Sequence, residues 1–252
     1  MRSNALPLAT VLAVFAALTA PAHGSTAVTK PASETETTDV ANANPSCRLA
    51  LLLALDISNS VDPQEQRLQT RGLASALVSD EVIAAILNGG GAVSAAAFSW
   101  SNARTQINVA PWTLLDSEAA IRQFAARVAA TPPDRFGRST ALGKALSYAA
   151  WMHSRNPYRC DSKVVDVSGD GVNNDGAPPI YFRKLGRLRD LTINGLVIRN
   201  DRPDPYAYFY EQVIQGPGAF VIDIDDYYDY ADAMKRKLIR ELSPMFAYNG
   251  FE

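Results

Sequence analysis

Leu49-Ala50-Leu51-Leu52-Leu53-Ala54-Leu55-Asp56-Ile57-Ser58-Asn59-Ser60 is an unbroken apolar run that stops at a carboxylate and two hydroxyls. Apolar residues without alternation predict a strand covered on both faces, as in a parallel sheet. Ligands of open parallel sheets gather outside the carboxyl ends of the strands. Asp56, Ser58 and Ser60 therefore stand where a functional site is expected, and hard oxygen ligands there point to a hard cation.

Other strand exits carry oxygen as well. Val164-Val165-Asp166-Val167-Ser168 is rich in β-branched residues and runs into Gly169-Asp170-Gly171, where glycine lets the backbone turn tightly and bring Asp170 to the sheet edge. Between the two strands, Phe136-Gly137-Arg138-Ser139-Thr140 leads into a helix with Thr140 at its mouth. Each piece alone has a plainer reading. Asp56, Ser58 and Ser60 could cap a helix starting near Asp62 and Pro63, Thr140 could cap the next helix, and Asp170-Gly171 could be a turn. Jointly they make an oxygen-only set that suits Mg²⁺ or Mn²⁺, whereas Zn²⁺ would favour His or Cys.

With these residues in this order, the chain resembles the von Willebrand factor type A (VWA) family. Its metal-ion-dependent adhesion site is written Asp-x-Ser-x-Ser after the first strand, Thr in a middle loop and Asp-Gly after the fourth strand. The resemblance spans residues 48–242 and is nearest a bacterial exported subgroup of unknown function, whose second Asp sits in Ser-Gly-Asp-Gly as it does here at 168–171. It implies an α/β fold: a doubly wound, mostly parallel six-stranded sheet in the order 3-2-1-4-5-6, with strand 3 an antiparallel edge and helices on both faces. It also implies metal ligands at Asp56, Ser58, Ser60, Thr140 and Asp170, Mg²⁺ or Mn²⁺ as the ion, and capture of an Asp or Glu carboxylate from a protein partner. Cys47 and Cys160 lie just ahead of the two metal-bearing strands. In the VWA topology those strands are adjacent and parallel, which implies a Cys47–Cys160 disulfide at the end away from the metal.

The remaining pattern agrees with one α/β domain. Helices are expected over residues 62–77, 81–87, 116–129, 141–153, 178–188, 205–214 and 230–242, and strands over 92–98, 105–109, 191–198 and 219–224. The last helix should turn Ala233, Leu238 and Leu242 inward and its charges outward. Gly89-Gly90-Gly91 breaks the chain, but no Lys-Ser/Thr follows it and no Gly-x-Gly-x-x-Gly follows a strand, so it is not read as a phosphate loop. Asn173-Asn174-Asp175 could supply oxygens behind the metal ligands or form an Asx turn, and Asp62 could bond a metal-bound water or cap a helix. The acidic, aromatic stretch 223–230 could edge a recognition surface or simply flank the final helix.

Met1-Arg2, an uncharged apolar stretch and Ala20-Pro21-Ala22 read as a signal peptide cleaved near Ala22, which predicts a periplasmic or secreted protein. Residues 23–46 read as a polar disordered linker, 47–245 as the domain and 246–252 as a tail. A net charge of −2 without Lys/Arg clusters gives no nucleic-acid footprint, and no membrane span is expected in the mature chain. An enzyme is the competing class, but Gly-x-Ser-x-Gly and His-Glu-x-x-His are both missing. Of the two histidines, His23 falls in the leader or linker, and His153 is read as a cation meeting the dipole at a helix end. The function expected is a metal-dependent binding module, with a structural exported domain or a metal-assisted hydrolase as alternatives.

Overall fold

The computed structural model describes residues 47–133, 139–199 and 203–243. Its elements follow in the order β1 (Cys47–Asp56), α1 (Pro63–Leu77), α2 (Asp80–Leu87), β2 (Ala92–Trp100), β3 (Gln106–Leu114), α3 (Glu118–Ala129), α4 (Leu142–Ser154), β4 (Cys160–Gly169), α5 (Pro179–Lys184), β5 (Thr192–Ile198), α6 (Pro205–Tyr208), β6 (Val221–Ile224) and α7 (Tyr230–Leu242). The six strands form one sheet in the order β3-β2-β1-β4-β5-β6, with β3 antiparallel to β2 and the other pairs parallel. This is the expected VWA-like architecture.

The continuous apolar run explains why β1 is central. Successive side chains of a strand point to opposite faces, so a strand covered on both sides must be apolar throughout. Leu49, Leu51, Leu53 and Leu55 pack with Leu73 and Leu77 of α1, Ile121 and Phe124 of α3, and Leu238 and Leu242 of α7. Leu52 and Ala54 face the other way, against Leu142, Ala145 and Leu146 of α4.

Helix α1 carries its own start signal. Asp62 Oδ1 accepts from the backbone N–H groups of Gln64 and Glu65, Glu65 Oε2 accepts from Asp62 N–H, and Pro63 opens the first turn. Capping is thus the role of Asp62, and Asp56, Ser58 and Ser60 are not needed for it.

Several expected boundaries are corrected. β3 runs on to Leu114 and includes Pro111, which an edge strand tolerates because one side of it has no ladder partner. The helix expected over 178–188 stops at Lys184, ahead of Gly186 with φ of 71°. Residues 205–214 form the short α6 followed by a π-turn over Phe209–Val213, and β6 begins two residues later than expected.

Two charged positions also depart from expectation. Lys237 of α7 was expected to point outward, yet it is fully buried, with its ammonium 2.8 Å from Asp166 Oδ1 and 2.7 Å from Glu241 Oε1. Burial raises Asp166 to about 7, Lys237 opposes that rise and Glu241 adds to it. His153 is not an exposed cation at a helix end. It is buried with Nε2 3.2 Å from the Val164 carbonyl, and desolvation lowers it to about 4, so it is neutral.

Cys47 and Cys160 are partners across the β1–β4 ladder and form a disulfide with a sequence separation of 113. Closing so long a loop restricts the unfolded chain, and the chain-entropy model gives about 4–5 kcal/mol. Urea unfolding with and without reductant should show a loss of that order, and the double variant Cys47→Ser/Cys160→Ser should lose the dependence on reductant. Asp166 supplies a pH test. Its folded pKa lies above the unfolded value, so the stability due to its proton is full below about pH 4 and is lost as pH rises through about 7. His153 acts in the opposite sense, since a depressed histidine favours folding above its unfolded value. The difference in unfolding free energy between wild type and Asp166→Asn should therefore shift in favour of Asp166→Asn between pH 5 and pH 8.

Candidate metal centre

β1 ends at Asp56 and β4 at Gly169, and the ladder pairs Leu55 with Ser168, so Asp56 and Asp170 leave neighbouring strands side by side. Both are fully buried. Asp56 Oδ1 accepts from the backbone N–H of Ser58 at 2.7 Å, which folds the motif back over the strand end. Ser60 Oγ donates to Asp170 Oδ1 at 2.6 Å and lies 3.2 Å from Ser58 Oγ. Ser58 is buried and Ser60 exposed, so the cluster opens to solvent through Ser60.

Thr140 joins from the segment just ahead of α4. It is buried, and a Cβ added at Gly171 would stand 3.4 Å from Thr140 Oγ1. A Cβ at Gly169 would stand 2.9 Å from Asp56 Oδ2, so a side chain there would displace that carboxylate. All five expected residues are thus brought together at one sheet end. The N-cap reading of Thr140 is corrected, because α4 begins at Leu142 with Ala141 as its cap residue and no side-chain cap bond.

The loop after Asp170 holds Thr140 in place, a role that sequence reasoning left between an Asx turn and a set of outer oxygens. Asn174 Oδ1 accepts from Thr140 N–H at 2.7 Å, and Thr140 C=O accepts from Asn174 N–H at 2.8 Å. Asn173 Oδ1 accepts from Gly143 N–H, while Asp175 Oδ2 accepts from Ser139 Oγ and Ala103 N–H. The signal was present in Asn173-Asn174-Asp175: three short side chains able to accept from a facing backbone.

A second support was not legible. Gln69 of α1 donates to the Asp56 carbonyl at 2.8 Å, Ser168 Oγ donates to Gln69 Oε1 at 3.0 Å, and Ser168 Oγ also lies 3.0 Å from the Tyr230 hydroxyl of α7. Tyr227 is buried nearby. Burial, then Asp170 and Asp56, hold its hydroxyl well above the ordinary phenol value. Tyr228 is 69 % exposed and accepts from Gln64 Nε2 at 2.8 Å, so the 223–230 stretch is divided between core and surface.

The electrostatics point to a cation. Burial and then repulsion from Asp170 raise Asp56 well above the usual carboxylate range, against the Ser58 hydrogen bonds. Asp56 Oδ2 is buried and has no hydrogen-bond partner among the described residues. Among those residues no three His, Cys, Asp or Glu side chains form a metal-holding group. The donor set is two carboxylates and three hydroxyls, which fits an oxygen-preferring dication better than a thiophilic one.

The model of one protein family matches residues 46–246. The chain belongs to that family. It is described as a protein of unknown function, DUF1194. No curated protein matches. Among solved structures, the chain is similar to proximal thread matrix protein 1 of the mussel byssus with a zinc-occupied MIDAS motif (TM-score 0.59, 18 % identity, 79 % of this chain and 49 % of that one). It is also similar to the von Willebrand factor type A protein of Catenulispora acidiphila (0.52, 18 %, 78 % and 43 %) and to BatB of Bacteroides thetaiotaomicron (0.52, 17 %, 77 % and 98 %). The chain spans about half the length of the first structures it matches, and at these identities the likeness is one of fold.

Two buried carboxylates in mutual repulsion are unfavourable until a cation joins them. Asp56→Asn should therefore raise the melting temperature of chelator-treated protein and remove the further rise that Mg²⁺ gives the wild type, as read by calorimetric melts with and without the ion.

Proposed function

We propose that this DUF1194 domain is an exported, metal-dependent binding module rather than an enzyme. Asp56, Ser58, Ser60, Thr140 and Asp170 hold one Mg²⁺ or Mn²⁺, to which a protein partner adds an Asp or Glu carboxylate. The observation that carries this reading is the buried, unpartnered Oδ2 of Asp56 beside a second buried carboxylate at the carboxyl end of a parallel sheet. Such an arrangement is costly in a protein interior unless a positive charge meets it.

When bound, the ion supplies a positive charge that two carboxylates and neutral hydroxyls compensate only in part, leaving it attractive to an anion. The chain's own residues do the rest. Ser58 N–H fixes one oxygen of Asp56, and Ser60 couples the β1 motif to Asp170. The Asn173–Asp175 clasp sets the position of Thr140, and the exposed side at Ser60 leaves an approach for a partner. Residues 1–22 act as a cleaved leader and 23–46 as a linker, which delivers the domain to the periplasm or exterior. The disulfide agrees with an oxidising compartment. Among the described residues no helix is long and apolar enough to cross a membrane.

Titration calorimetry of Mg²⁺ and Mn²⁺ into chelator-treated protein should give one saturable site, absent in Asp56→Ala and Asp170→Ala. Water-proton relaxation of the Mn²⁺-loaded protein should report an exchangeable water that acetate displaces. No heat from either ion in a folded wild type would sink the metal site and favour a structural exported domain. A bound Mn²⁺ without exchangeable water would sink carboxylate capture alone.

A further inference from the structure

A cleft of about 540 Å³ opens at the end of the sheet opposite Asp56, between the amino-terminal ends of β1, β4 and β5, the turn after α2 and the last turn of α7. Its size falls in the range of small-molecule sites, roughly 300–1,000 Å³. Leu49, Val164 and Phe220 give it apolar surface, and Arg48, Arg240 and Glu241 give it charge.

The charges are unequal in what they lack. Glu241 already has a cation: its Oε1 lies 2.7 Å from Lys237 Nζ and accepts from Asn194 Nδ2 at 2.7 Å, while its Oε2 is buried and has no hydrogen-bond partner among the described residues. Asp161 also lines the cleft, but it is exposed to water. The two guanidinium groups have no such counterpart. Arg48 donates to the carbonyls of Gly91, Leu242 and Ala85, and Arg240 lies flat on the Phe220 ring, 3.8 Å from its centroid. Among the described residues neither forms an ion pair. A guanidinium carries five N–H donors, so three carbonyl bonds leave Arg48 with donors to spare, and stacking leaves the edge of Arg240 free. A half-buried guanidinium and an exposed one stacked on an aromatic ring favour a flat anion.

We propose that this cleft binds a small organic acid with a flat apolar body, its carboxylate held by Arg240 and Arg48 and its body against Phe220, Leu49 and Val164. The site is separate from the metal centre and does not depend on it, since no residue is shared. It takes a free small molecule, where the metal centre takes a side chain of a protein.

The test is fluorescence titration of the full chain with 2-naphthoate, and with the uncharged 2-naphthalenemethanol as comparison. The wild type should bind one naphthoate saturably. Arg240→Ala should weaken binding about tenfold or more, the loss expected when a charge-assisted contact is removed, and Arg240→Glu should abolish it. Naphthalenemethanol should bind at least about tenfold more weakly, on the same reasoning. Asp56→Ala should bind naphthoate as the wild type does, which separates this result from the fate of the metal site. Arg240 is exposed, so its variants should fold, and a thermal melt of each confirms it. Equal binding by wild type and Arg240→Glu, equal binding of the alcohol, or no saturation by millimolar naphthoate would each overturn the proposal.

Discussion

Repulsion between Asp56 and Asp170 is the constraint around which this molecule is arranged. Neither carboxylate reaches bulk water, and they leave adjacent strands side by side. A fold does not keep two carboxylates in its interior without support, and burial beside Asp170 drives Asp56 toward its protonated form. The support here comes from three directions: the Ser58 amide on one oxygen of Asp56, the Ser60 hydroxyl on Asp170, and Gln69 on the Asp56 carbonyl. The backbone concedes space as well. Gly169 lies where a side chain would press on Asp56 Oδ2.

The scaffold is stiff where the carboxylates are held and jointed where Thr140 is held. β1 and β4 are central strands, β4 buried on both faces from Val164 onward, and their register fixes the two Asp residues relative to each other. Thr140 sits in a loop, fastened by hydrogen bonds from Asn174, with Asn173 and Asp175 fastening its neighbours. Such bonds are individually worth roughly 0.5–1.5 kcal/mol, much less than a strand in a sheet. The position of Thr140 therefore rests on a few hydrogen bonds, whereas that of the two carboxylates rests on the strand ladder.

Most of the architecture was legible because β1 is apolar throughout and then stops at a carboxylate, while β4 is rich in β-branched residues just ahead of Gly169-Asp170-Gly171. The residues of the candidate site were legible as neighbours, since each stands at an exit of those strands or at the mouth of a helix. What escaped were interactions made across the fold. Lys237 reads as a surface residue of an amphipathic helix, and only the approach of β4 shows that Asp166 waits for it inside. His153 at a helix end invites a dipole argument, which burial against Val164 overrules. Gln69 and Tyr230 carry no local signature, because their role comes from meeting Ser168, which lies far away in sequence. The short α5 and the π-turn after α6 were missed at their ends, where loop geometry outweighs periodicity.

The Cys47–Cys160 bond lies at the far end of the very ladder that ends in Asp56 and Asp170. Side chains along a strand alternate between faces, so a slip of one residue between β1 and β4 would carry Asp56 out of line with Asp170 and scatter the candidate site. A covalent tie between two directly opposed residues forbids that slip. Once oxidised, the chain favours the alignment in which Asp56 and Asp170 leave the sheet side by side.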